Sequence, residues 1–197
     1  MSLARQFPEK KGVDYSKILI TPEGEYSMTK KGDGQRIMQK IESVVGSTRN
    51  MHITDLTGNV GADTILFGLN FKRVDSIEYN KENFEALENN VKVFKLKNVN
   101  LHFGDSTKIY NWITDILYLD PPWGGPDYKE KENVDLFLGK TRVDLFLKKI
   151  IAKPWKPSFI FLKLPRNYNF ERLQLGGIKN AYIFAIRGFN LVGLEID

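Results

Sequence analysis

The sequence predicts an α/β domain: a mostly parallel seven-stranded sheet, helices on both faces, and an antiparallel hairpin at its C-terminal end. Short apolar runs of strand length alternate with stretches of helical periodicity, the pattern of a parallel sheet built from strand–helix–strand units. Acids stand at the ends of three successive strand segments, Asp55, Glu78 and Asp105. The last two apolar runs, 181–186 and 189–196, meet at Gly188. That connection is too short for a parallel crossover, so the pair is a hairpin.

The N-terminal stretch 1–35 has no strong period and carries Arg5, Lys10, Lys11, Lys30 and Lys31, which predicts an irregular basic arm with little core of its own, ahead of a domain over 36–197. From Gly34, apolar residues at Ile37, Met38, Ile41, Val44 and Val45 follow the spacing of an amphipathic helix that Gly46 ends. A strand over 51–56 then runs into Thr57-Gly58-Asn59-Val60-Gly61-Ala62-Asp63-Thr64, and helical spacing resumes through Ile65, Leu66, Leu69 and Phe71. Strand, glycine-containing turn, helix is the arrangement that brings backbone N–H groups to a ligand. The second strand, 73–78, ends in Glu78, placed about 20 residues after Asp55, the interval at which βαβ nucleoside sites put an acid for ribose hydroxyls. A helix over 81–94 follows, then a strand over 99–103 closed by Gly104-Asp105-Ser106, where Asp105 also suits a helix N-cap. The segment 158–164 is a further strand.

Hydrophobic residues make up 42% and charged residues 27% of the 197, an ordinary globular composition. No run is long and apolar enough for a bilayer, and no secretory leader pattern opens the chain, so an intracellular, monomeric protein without membrane contact is expected. There is no cysteine, which excludes disulfides and thiolate chemistry. His52 and His102, fifty residues apart, make a poor metal site, and no metal is expected. The formal charge of +5 suits a polyanionic partner.

The chemistry-bearing stretch is Leu117-Tyr118-Leu119-Asp120-Pro121-Pro122-Trp123-Gly124-Gly125-Pro126-Asp127-Tyr128. A buried strand stops at an acid, and two prolines fix φ and remove two backbone donors. A carboxylate, a proline carbonyl and an indole are thereby held at the carboxyl end of a strand, where open α/β sheets bind ligands. Asp-Pro-Pro-aromatic resembles the catalytic loop of S-adenosylmethionine-dependent methyltransferases that modify exocyclic amines of nucleobases. The longer string is similar to that of trimethylguanosine synthases, which methylate N2 of a 7-methylguanosine RNA cap. Tyr26-Ser27-Met28-Thr29 and Leu164-Pro165-Arg166-Asn167 resemble two further segments of that family, so the likeness spans 25–175.

The resemblance implies the Rossmann-like class I methyltransferase fold, with S-adenosylmethionine as cofactor and capped RNA as partner. It implies cofactor contacts from Asp55, Thr57, Gly58, Gly61, Thr64, Glu78, Asp105 and Asp120. It assigns catalysis to Asp120, Pro121, Pro122 and Trp123, and the cap to Tyr26, Ser27, Thr29, Trp123, Lys163, Arg166 and Asn167, with Lys163 and Arg166 toward its triphosphate. Three departures stand out: Asn59 where the family's loop has glycine, Lys30 where it has proline, and Asp120 where serine is common. Methylation of N6 of adenine or another exocyclic amine is the alternative activity, and a non-catalytic RNA-binding subunit of the same fold a third reading. The Gly124-Gly125-Pro126 extension favours guanine.

Overall fold

The computed structural model describes residues 3–197; residues 1–2 of the arm lie outside the described residues. Strands β1 (His52–Asp55), β2 (Arg73–Glu78), β3 (Val99–Phe103), β4 (Ile116–Leu119), β7 (Phe159–Pro165), β8 (Ile178–Ile186) and β9 (Phe189–Ile196) form one sheet. Its order is β3-β2-β1-β4-β7-β9-β8. The first five pair in parallel, while β9 pairs antiparallel with both β7 and β8. The expected sheet and hairpin are therefore present. Because β2 and β3 lie to one side of β1 and β4 returns to the other, the sheet has its switch point between β1 and β4, where a crevice opens beyond the strand ends.

Alternation along the strands fills two cores. Ile116, Tyr118 and Phe161 face helices α2 (Lys31–Val45) and α3 (Ala62–Asn70). Leu117, Leu119, Ile160 and Leu162 face α6 (Val143–Ile151). The remaining helices are α1 (Pro22–Ser27), α4 (Lys81–Val93) and the short α5 (Ser106–Ile109), and a two-stranded ribbon, β5 (Phe137–Leu138) with β6 (Thr141–Arg142), precedes α6.

Residues 3–30 of the arm pack more closely than their aperiodic sequence predicts. Ala4, Phe7, Ile18 and Met28 are buried with Val60, Ile65, Leu87 and Phe94 in a third core cluster. The backbone of Leu19 is clamped by the Asn90 side chain, which accepts from its N–H at 2.8 Å and donates to its carbonyl at 2.7 Å. The arm is thus a docked strap made of turns, two 3₁₀ segments and one short α-helix, structures that leave no period in a sequence.

The two histidines share one carboxylate partner, Asp75. His52 Nε2 lies 2.6 Å from Asp75 Oδ2 and His102 Nε2 2.8 Å from Asp75 Oδ1, with Arg73 Nε donating to Oδ2 at 2.8 Å. Burial works against the charged carboxylate, yet the hydrogen bonds from His52, His102 and Arg73 outweigh it and hold Asp75 well below the usual range. A depressed acid contributes stability that is present above its unfolded value, about 3.9, and lost as pH falls below it. Asp75→Asn is expected to lower unfolding stability by about 1–3 kcal/mol at neutral pH. In denaturant titrations the gap from wild type should close in strong acid; a gap independent of pH would contradict this account.

Candidate active site

The loops that follow β1, β2, β3 and β4 wall a cavity of about 490 Å³ at the switch point. Each loop is set by a local device. After β1, Asp55 is fully buried; its Oδ1 accepts from Thr57 N at 3.0 Å and its Oδ2 from Thr64 Oγ1 at 2.7 Å. Burial and the neighbouring Asp63 push Asp55 up to about 7. Thr57 Oγ1 in turn accepts from the backbone N–H of Asp120 at 2.8 Å, tying the first loop to the proline loop. Asn59 stands at φ 48°. Asparagine is among the few side chains that tolerate this left-handed region.

Gly58 is required for space rather than for conformation. A Cβ there would meet Ser76 Oγ at 2.5 Å and Leu87 Cδ2 at 2.9 Å. Gly58→Ala is expected to cost about 1–3 kcal/mol by overpacking. A urea midpoint unchanged from wild type would show that the loop relaxes freely.

At the tip of β2, Glu78 takes the N–H of Asn59 on Oε2 and of Asn80 on Oε1, both at 2.7 Å. Burial raises its proton affinity despite these bonds. Asp105 caps α5 through Thr107 N at 3.0 Å and also lines the cavity, so both roles foreseen for it are geometrically compatible.

The proline loop presents Asp120, Pro121, Pro122 and Trp123 to the cavity. The Trp123 indole is half-buried, edge-on to Tyr128 at 5.2 Å between centroids and tilted against Phe189 at 6.4 Å. Its Nε1 is buried without a hydrogen-bond partner in good geometry, though it lies near enough to Asp120 to favour the charged acid. Lys163 of β7 donates to Asp120 Oδ2 at 2.6 Å and to Thr29 Oγ1 at 2.9 Å; Thr29 donates to Asp63 Oδ2 at 2.7 Å, which also accepts from Tyr118 OH at 3.2 Å. Burial pushes Asp120 up to about 6, with Lys163 pulling against it and Asp63 reinforcing it. Burial opposes the Lys163 charge, but Asp120 and Asp63 outweigh it and the ammonium holds its proton more tightly than usual.

Of the residues singled out in the sequence, Tyr26, Ser27, Thr29, Thr57, Gly58, Glu78, Asp105, Asp120, Pro121, Pro122, Trp123 and Lys163 line the cavity. Asp55, Gly61 and Thr64 stand behind the wall and shape it. Arg166 and Asn167 stand outside it: Arg166 is exposed, with Nη2 at 3.4 Å from Ile186 O, and Asn167 donates to the carbonyls of Tyr128 and Lys131. The sequence reading overlooked Asp63, Tyr79, Tyr128 and Phe189, which also line the space. Asp63 had one available signal, an acid in the first turn of a helix, but that reads equally as dipole compensation.

The wall carries Glu23, Asp33, Asp63, Glu78, Asp105 and Asp120 against Lys30, Lys129 and Lys163. An acid-rich crevice with paired ribose-type acceptors fits a nucleoside cofactor carrying a sulfonium and an ammonium. Among the described residues no group of three or more ligating side chains gathers for a metal ion, and no helix is long and apolar enough to cross a membrane.

Sheet order and terminal hairpin are those of the Rossmann-like class I methyltransferase fold. The fold is similar to a T. thermophilus 16S rRNA N2 methyltransferase solved with AdoMet and guanosine: TM-score 0.66, 15% identity, 83% of this chain and 43% of that one. It is also similar to a putative RNA methyltransferase from Pyrococcus horikoshii: TM-score 0.61, 15% identity, 86% and 87% coverage. The chain belongs to the RNA cap guanine-N2 methyltransferase family, whose profile matches residues 50–183. An uncharacterized protein of Acanthamoeba polyphaga mimivirus is 34% identical over 136 residues, 67% of this chain and 53% of the relative. The chain thus spans about half the length of that curated relative.

Proposed function

We propose that the protein methylates the exocyclic N2 amine of 7-methylguanosine in an RNA cap, as a trimethylguanosine synthase-like enzyme. The observation that carries this reading is the proline loop at the cavity mouth, where a carboxylate, a proline carbonyl and a half-buried indole converge within four residues. Family membership and the Gly124-Gly125-Pro126 continuation of the loop support guanine over adenine.

An exocyclic purine amine is a poor nucleophile because its lone pair is delocalised into the ring. Its reaction depends on being held in line, and positioning accounts for much of the barrier reduction. Asp120 and the Pro121 carbonyl are acceptors for the two N–H bonds and favour positive charge developing on nitrogen. When bound, S-adenosylmethionine supplies the methyl group and leaves as the thioether. The surplus proton departs from N2 to Asp120 or to solvent. Trp123 offers a ring face for the purine, and 7-methylguanine, being cationic, gains a cation–π contribution of about 0.5–2 kcal/mol that neutral guanine lacks. Glu78, Asp105 and the loop at Thr57–Gly58 hold the cofactor, while Tyr26, Ser27 and Thr29 close the cavity from the arm.

The test is product analysis after incubation with methyl-labelled cofactor and, separately, a 7-methylguanosine-capped dinucleotide, its unmethylated counterpart and an adenine oligonucleotide. Label on N2 of the methylated cap is expected. Label on adenine alone would replace this reading with the exocyclic-adenine one. Calorimetry showing no cofactor binding would leave a non-catalytic RNA-binding fold.

A further inference from the structure

Lys163 is the basic residue at the cavity whose hydrogen bonds are most fully specified, and they point away from a phosphate-clamp role. Its side chain is 7% exposed, and Nζ sits 5.6 Å from the Trp123 ring and 5.3 Å from the Phe189 ring. Two of its donors are taken, one by Asp120 and one by Thr29. A phosphate reaching this ammonium would have to enter beside the carboxylate already paired with it, at a nitrogen flanked by two aromatic rings.

We propose that Lys163 is a positioning residue acting through Asp120: anchored by Thr29 of the arm, its ammonium fixes the carboxylate's orientation and keeps it ionised to receive the substrate amine. This deepens the reading above and rests on Asp120 being the acceptor. The surroundings give the ammonium its importance. Asp120 shares its enclosure with Asp63 of α3, Asp55 of β1 and the neutral phenol of Tyr118 on β4, while Asp33 of α2 also favours the Lys163 charge. Lys163 is the only cation among these groups. Without it, crowded and desolvated carboxylates must take up protons, and a protonated Asp120 loses an acceptor lone pair at the point where the amine docks. Thr29 makes the arrangement directional. Its hydroxyl accepts from Lys163 and donates to Asp63, so both oxygen roles are used and Nζ is held on the Asp120 side.

The experiment compares full-length wild type with Lys163→Met, Lys163→Arg and Thr29→Val, using two readouts. The first is carboxyl ¹³C NMR titration of aspartate-labelled protein without substrate, with Asp120→Asn identifying the resonance. Lys163→Met should raise the Asp120 midpoint by about one pH unit or more, Thr29→Val should shift it less in the same direction, and Lys163→Arg should restore it. The second is methyl transfer to 7-methylguanosine and to its triphosphate. Lys163→Met should lower kcat about tenfold or more on both substrates alike, with the rise of the pH–rate profile displaced upward.

An unmoved midpoint in Lys163→Met overturns the proposal, as does a loss confined to the triphosphate substrate, which would make Lys163 a phosphate ligand. If Lys163→Met does not fold, the Thr29→Val titration decides in its place, and no shift there overturns the proposal. A shifted midpoint in a protein whose wild type methylates neither substrate would keep the positioning role and remove the cap reading.

Discussion

Asp120→Ala is expected to lower kcat/KM for cap N2 methylation by on the order of 10²–10³-fold. The same change should also weaken the fold. The carboxylate accepts from Lys163 at 2.6 Å, and its removal leaves a buried ammonium with Thr29 as its remaining partner. Breaking a buried ion pair from one side costs about 3–5 kcal/mol, because the surviving charge is uncompensated. Asp120→Asn helps to separate the two effects: the amide oxygen still accepts from Lys163 but brings no opposite charge, so only the hydrogen-bonded share of the stability should return while the rate loss remains. Steady-state kinetics beside chemical unfolding of both variants provide the check. An asparagine variant with wild-type turnover would remove Asp120 from the reaction.

Trp123→Ala should raise KM for a 7-methylated cap and reduce the preference for 7-methylguanosine over guanosine by roughly 2- to 30-fold, the ratio equivalent to the cation–π contribution. The prediction is specific because a general loss of packing would not distinguish the two nucleosides. The indole also packs against Tyr128 and Phe189, so some stability falls with it. Trp123→Phe keeps a ring with a weaker quadrupole and should lie between. If both variants discriminate like wild type, the purine is not stacked on this residue.

Much of the architecture was legible because several sheet strands end at a distinct stop, as at Glu78, Gly104 and Asp120, and β4 and β7 are short, mainly apolar runs. The α2 helix was anticipated from Gly34 but begins at Lys31; its N-cap, Lys30, makes no side-chain cap bond, so no sequence signal marked the start. The near-duplicate strings at Val134 and Val143 show where local reading fails. Val134-Asp135-Leu136-Phe137-Leu138 is extended and ends at the turn containing Gly139, φ 57°, whereas Val143-Asp144-Leu145-Phe146-Leu147 is helical. The same five residue types take opposite forms because the first string meets a glycine turn and the second continues into Lys148 and Lys149.

At the site, the acids at strand tips were visible as residue types at intervals, but their partners were not. Lys163 reads from sequence as a free cation at a strand end; only the fold brings it to Asp120, 43 positions earlier. His52 and His102 likewise read as an unpromising metal pair, and it takes three adjacent parallel strands to place Asp75 between them.

One consequence follows from the way the strap is docked. Glu23, Tyr26, Ser27 and Thr29 belong to the arm, yet they share a wall with loops from the far side of the domain. A ligand touching both is a non-covalent tie between distant parts of the chain, so occupancy and the seating of residues 3–30 become one linked equilibrium. At a hundred times its dissociation constant, a small molecule contributes about 2.7 kcal/mol to whatever state binds it. Saturation would then protect the strap against opening.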